Sequence, residues 1–316
     1  MQAALAIKNL TLASAPEVDD ATVARAITAL SGDTHIAGPA MNEAHVPNEP
    51  TVRWTDDIDW SGLACSWAAR LMSLAGGLLI WHFACVYKFQ FFINFANVPA
   101  PLVVLTALVK QAHEIKFYIH ILVSMERILI SFALATFVGI ILGVLMGRSK
   151  LVRDLVVPYI EILRPIPAVA WIPLAILMWP TEESSIIYIT FLGALFPIVL
   201  NTVHGVEQTP EVLVRAAQSL GASPLDIFWH VVMPAALPSI ATGLAIGMGV
   251  SWFSLLAGEI ISGQYGIGYF TWNAYSLINY PDIVVGMLVI GGLGTLSTMA
   301  VRLLTRPMLS WQRKAR

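Results

Sequence analysis

The sequence predicts an all-α membrane protein with six transmembrane helices and both termini in the cytoplasm. Of the 316 residues, 57% are hydrophobic and only 12% charged, which is too apolar for a soluble domain of this length. Six apolar runs approach the roughly 20 residues needed to cross a hydrocarbon core. They lie at 67–87, 127–147, 160–179, 184–204, 239–261 and 283–304. Lysine and arginine set the orientation. Arg70, Arg148, Lys150, Arg153, Arg215, Arg302, Arg306, Arg313, Lys314 and Arg316 share one side if the N-terminus is inside, against Lys88, Lys110, Lys116 and Arg127 on the other.

The chain divides into a polar N-terminal tail over 1–60, a transmembrane domain over 61–310 and a basic end over 311–316. The tail lacks the basic start and apolar core of a secretory signal and reads as cytoplasmic. Asp19-Asp20 are placed to cap a short, marginal helix over 21–30. Trp54, Trp60 and Trp67 cluster before the first span, where interfacial aromatics belong. Cys65 and Cys85 fall about 30 Å apart on one helix, too far to bridge. After the first span a Pro99-Ala100-Pro101 turn precedes a surface helix.

Prolines interrupt the later spans. Arg164-Pro165-Ile166-Pro167 and Pro173 fall in the third and Pro197 in the fourth, and such breaks suit either a plain kink or a helix that lines a cavity. Small-residue ridges predict close helix packing: Gly139, Gly143 and Gly147 in the second span, Gly243, Gly247 and Gly249 in the fifth, and Gly291, Gly292 and Gly294 in the sixth.

The link between the fourth and fifth spans is helix-prone rather than loop-like. Ala216, Ala217, Gln218 and Leu220 favour helix, and Gly221 suits the left-handed residue that ends one. Ser223-Pro224 reads as an N-cap and first-turn proline opening a second helix to about Val232, closed by Pro234 and Pro238. Taken by itself, the stretch also fits an ordinary loop.

No phosphate-binding loop, nucleophile elbow or zinc-helix pair occurs, so the chain is expected to be non-catalytic and to hold no cofactor or metal of its own. A net charge of −2 gives no basic surface for nucleic acid. Ionisable residues within spans cost about 2.5–3.5 kcal/mol each at mid-membrane and are therefore candidates. Glu161 and Arg164, three apart, are expected to form a structural ion pair. His82 is expected to be packed or interfacial and His204 to sit at a span end. Glu259 either lines a pathway near the outer mouth or accepts hydrogen bonds from the glycine-rich loop after it.

The run Arg215-Ala216-Ala217 to Leu220-Gly221-Ala222-Ser223, continuing to Met233-Pro234-Ala235-Ala236-Leu237-Pro238, resembles the E-A-A…G signature of the permease subunit of bacterial ATP-binding-cassette importers. Further segments resemble its nitrate/sulfonate/taurine branch: Ser124 with Arg127, Leu163 to Pro167 with Trp171 to Leu174, Phe196-Pro197-Ile198 with Asn201-Thr202 and Gly205-Val206, Ser251-Trp252 with Glu259, and Gly266 to Tyr269. The likeness covers roughly residues 81–304.

The resemblance implies a type I importer permease in the bacterial inner membrane. Two copies of the chain would form the pathway and two ATPase subunits would bind ATP and Mg below. A periplasmic or lipid-anchored binding protein would deliver and largely select a small anionic solute such as nitrate, bicarbonate, a sulfonate or taurine. It further implies that Arg215, Ala216, Ala217, Ser219, Leu220, Gly221, Ala222, Ser223 and Pro224 couple to the ATPase. Arg164, Pro165, Pro167, Ser251, Trp252 and Glu259 are the residues assigned to the pathway or gate. Two positions depart from the pattern: Arg215 stands where the signature has glutamate, and Trp179-Pro180 replaces a glycine at the end of the third span. The competing class is an ion-coupled secondary transporter or channel, which calls for inverted repeats or an intramembrane charge relay.

Overall fold

The computed structural model describes residues 60–87 and 97–309. The predicted N-terminal tail with its short helix, and the basic C-terminal end, lie outside them. The unit that contains every candidate site is Ala68–Arg316.

All regular structure among the described residues is helical. Helix α1 is Trp60–Val86, α2 Pro101–Gln111 and α3 Ile115–Arg148, and α2 fills the place of the expected surface helix. Ser149 then ends α3 and caps α4, Lys150–Leu163, its hydroxyl accepting from the Val152 amide. A short 3-10 turn, Ala168–Trp171, leads into α5, Ile172–Met178. Thr181 caps α6, Glu182–Glu207, by accepting from the Ser184 amide, and two glutamates follow in its first turn where the helix dipole favours negative charge. The remaining helices are α7, Glu211–Ser219; α8, Pro224–Ile227; α9, Met233–Ser262; α10, Ile267–Ser276; and α11, Tyr280–Thr305.

Among the described residues five helical stretches are long and apolar enough to cross a membrane, and six if the bent pair α4 and Ala168–Met178 counts as one. That pair corrects the expected bounds of the third span, 160–179, which begins at Lys150, and it holds the break expected at its prolines. The chain bends by 90° between Leu163 and Ala168, because two prolines in Arg164-Pro165-Ile166-Pro167 remove amide donors and exclude the helical conformation before them. A second correction concerns Pro234 and Pro238, which do not close the segment begun at Pro224. A π turn, Phe228–Val232, joins α8 directly to α9; Pro234 sits in the first turn of α9, and Pro238 is accommodated inside it.

Helix α6 is the centre of the bundle, packed against α3 on one side and α9 on the other. Ile186, Ile189, Ala194 and Ile198 are completely buried along it. The glycine ridge of α3 makes the contact: a Cβ on Gly139 would fall 2.8 Å from Ile198, on Gly143 2.5 Å from Thr202 and on Gly147 2.6 Å from Val206. Gly243 and Gly247 of α9 meet Asn201 and Ile198 at 2.7 and 3.0 Å by the same construction. The other glycines behave differently. Among the described residues Gly249, Gly291 and Gly292 meet nothing within 4 Å, and of the expected ridge in the last span only Gly294 stands against another helix, beside the Trp252 ring.

Gly143→Ala is therefore expected to destabilise the fold by about 1–3 kcal/mol, since the added carbon also lies 2.9 Å from the Val199 carbonyl, which is backbone and cannot swing away. Gly291→Ala is expected to cost nothing. Thermal unfolding of the two purified variants in detergent compares them directly, and equal midpoints would disprove the packing account.

Candidate functional site

Three features stand out, and the first is the link between α6 and α9. Helix α7 ends in a Schellman motif: the Ala222 amide donates to the Ala217 carbonyl at 3.1 Å and the Gly221 amide to the Gln218 carbonyl at 3.0 Å. Gly221 takes φ +81°, the left-handed conformation such an ending requires. Ser223 and Asp226 then form a capping box, in which the serine hydroxyl accepts from the Asp226 amide and the Asp226 carboxylate from the Ser223 amide.

Two faces result. Val214, Ala217 and Ala222 pack inward on Val206, Ile227 and Val232, so Ala217 and Ala222 serve the protein's own core. Arg215, Ala216, Ser219, Leu220, Gly221, Ser223 and Pro224 are exposed. Arg215 pairs with Glu211 one turn before it, at 2.6 Å. Beside them Val212, Leu220, Leu225 and Trp229 hold apolar surface in the open, with Leu220 88% exposed. The two short, capped helices and the π turn after them thus carry large bare side chains.

The second feature is a buried ion cluster that ties α3, α6, α9 and α10 together. The Glu259 carboxylate is 1% exposed and accepts from Ser124 Oγ at 2.7 Å, Arg127 Nη1 at 2.9 Å and the Gly268 amide at 2.8 Å. Arg127 also donates to the Tyr265 carbonyl at 2.7 Å and through Nε to Glu183 at 2.7 Å. Ser124 in turn accepts from the Ile267 amide at 2.9 Å. Gly266 is obligatory, because at φ +119° a Cβ would strike the Glu259 carboxylate. Glu259 thus takes a hydrogen bond from the Gly268 amide, in the first turn of α10 just beyond the glycine-rich loop, close to one of the two alternatives open from the sequence. Charge placement alone put Arg127 on the outer side and never singled out Glu183; their meeting needs helices 56 residues apart in sequence to pack.

The third feature is a cavity of about 590 Å³ beside the α4–α5 break. Arg164, Pro165 and Pro167 line it, with Trp171, α6 and α9 supplying the other walls. The expected Glu161–Arg164 ion pair does not form, although Arg164 keeps the helical register as C-cap, its amide donating to the Ile160 carbonyl at 2.9 Å; both side chains are exposed, and Arg164 lines the cavity instead. Ser251, Trp252 and Glu259 do not line this cavity. Ser251 bonds back to the Gly247 carbonyl at 2.8 Å and Trp252 Nε1 donates to Ser297 at 2.7 Å. His82 is half-buried against Phe83, and His204 lies exposed in the last turn of α6.

Comparison with known proteins agrees with this architecture. The family model for binding-protein-dependent transport system inner membrane components matches residues 135–308, more than half of the chain. The nitrate import permease protein NrtB of Synechocystis is 38% identical over 178 residues, which cover 56% of this chain and 65% of that one. The taurine transport system permease protein TauC of Escherichia coli is 36% identical over 192 residues, covering 61% and 70%. An inward-facing structure of the MetNI methionine ABC transporter shares the fold, with TM-score 0.50 and 22% identity over 59% of this chain and 93% of that one. A multi-pass helical bundle with this core and these relatives has one reading: the chain belongs to the family of binding-protein-dependent transport system inner membrane components.

Proposed function

We propose that the chain is the pathway subunit of an ATP-driven importer for a small anionic solute, nitrate and taurine being the cargo named in two relatives. In this reading two copies assemble in the inner membrane with both termini in the cytoplasm. A separate solute-binding protein delivers cargo from outside, and two ATPase subunits bind ATP and Mg inside. The chain itself performs no chemistry. The exposed apolar cap formed by α7, α8 and Trp229 carries the proposal, because it gives a partner a rigid handle on both α6 and α9. A push on that handle reaches the cavity walls directly, since both helices line the cavity. The capped ends of α7 and α8 prevent the handle from simply fraying under load.

Leu220→Asp tests this. Its side chain is 88% exposed, so a carboxylate there is solvated and leaves the fold intact, yet it places an unpaired charge in the contact. The variant is expected to insert normally and to lose co-purification with the ATPase. Retention of the ATPase at wild-type stoichiometry would remove the cap from the interface.

A further inference from the structure

Among the described residues four buried side-chain polar atoms lack a hydrogen-bond partner, and two of the four, Trp171 Nε1 and Ser254 Oγ, belong to residues in the wall of the cavity. Leaving a buried donor unpaired is costly, and two of the four stand in residues of this one wall. The same wall holds Arg164, exposed and in no ion pair. Among the described residues no aspartate or glutamate lines the cavity to neutralise that charge. Phe196, Phe253, Leu192 and Val250 make the remaining surface apolar. A largely apolar chamber with a few convergent polar groups is the usual form of a small-molecule site, and about 590 Å³ lies within the customary range. The non-helical backbone at 164–167 agrees, because irregular backbone at membrane depth is tolerated where it lines a water-filled cavity.

We propose that this cavity is a transit site for a small oxyanion, a nitrate or sulfonate group. Arg164 supplies the charge and a forked pair of donors; Trp171 N–H and Ser254 O–H supply the remaining hydrogen bonds. Trigonal and tetrahedral oxyanions present several acceptor oxygens in fixed directions, which match donors on three separate side chains as a spherical halide does not. Both Trp171 Nε1 and Ser254 Oγ are covered in this conformation, with Ser254 Oγ pressed against the bare backbone of Gly193. They engage when the walls move apart during the cycle, so the complete site belongs to another state and Arg164 alone faces the cavity in this one. The inference rests on the import reading and adds to it: the permease itself recognises the anion that its binding protein releases.

The test is equilibrium dialysis of the permease–ATPase complex, without binding protein, against labelled nitrate and against labelled taurine, both nucleotide-free and trapped with ATP and vanadate. Saturable binding of at least one probe in at least one state is expected, with excess chloride a poor competitor. Arg164→Gln is expected to weaken it by about tenfold or more, and Trp171→Phe and Ser254→Ala by several-fold each. Arg164→Lys, which keeps the charge and loses the fork, is expected to fall between wild type and Arg164→Gln, and it decides the matter if the glutamine variant does not fold. Absence of saturable binding in both states, or variants that bind like wild type, overturns the transit site. A wild-type complex that imports with its binding protein yet binds neither probe alone removes this site and leaves the import reading standing, whereas failure to assemble with any ATPase removes both.

Discussion

Gly221→Val is expected to abolish uptake while the protein still inserts into the membrane. Gly221 sits at φ +81°, where an L-residue pays about 1–2 kcal/mol and a β-branched one more. A Cβ at this position would meet nothing within 4 Å, so the effect is one of backbone conformation and not of crowding. Relaxing that strain breaks the bonds from the Ala222 and Gly221 amides, and α7 then no longer holds its angle to α8. The rest of the bundle is untouched, because α6 and α9 are held by their own buried contacts. Gly221→Asn, which tolerates the left-handed region, is expected to retain most transport, with Gly221→Ala between the two. Uptake in cells, normalised to permease in the membrane fraction, ranks the three; a valine variant that assembles with its ATPase and transports normally would falsify the coupling role.

Arg127→Met is expected to destabilise the protein by about 3–5 kcal/mol, the loss typical of leaving one partner of a buried ion pair unpaired. Glu259 would keep its bonds to Ser124 and Gly268 but retain a negative charge at 1% exposure with no cation beside it. Glu183 would be affected less, since its side chain is 59% exposed and water replaces the arginine. Adding Glu259→Gln to Arg127→Met is expected to recover part of the loss, because the neutral amide removes the uncompensated charge while its oxygen still accepts one bond. Thermal unfolding of the single and double variants measures the coupling. A double variant less stable than Arg127→Met would show that Glu259 owes its place to its other partners rather than to the arginine.

Local features were open to reading from the chain alone wherever the cause lies within a few residues. The spans followed from apolar runs, and the ends of α7 and α8 from Gly221, Ser223 and Pro224, because capping is a matter of adjacent backbone groups. The ridge at Gly139, Gly143 and Gly147 was equally legible, since three small residues four apart share one helix face. Yet of Gly291, Gly292 and Gly294 only the last meets a neighbour among the described residues, because a sequence shows where small residues gather and not what stands opposite them.

Tertiary packing decided the rest. Glu161 and Arg164 read as a pair on one helix, but Arg164, the last residue before the break, lines the cavity instead. Arg127 and Glu259 read as unrelated charges on separate spans, and they meet only because α3 and α9 both pack on α6. The sequence by itself determined that this chain crosses a membrane several times and where its spans and caps fall, since hydrophobic length and capping are properties of contiguous residues. Only the tertiary structure decided which charges neutralise one another and which is left bare beside a cavity, since Coulomb and hydrogen-bond energies depend on distances of a few ångströms between residues far apart in the chain.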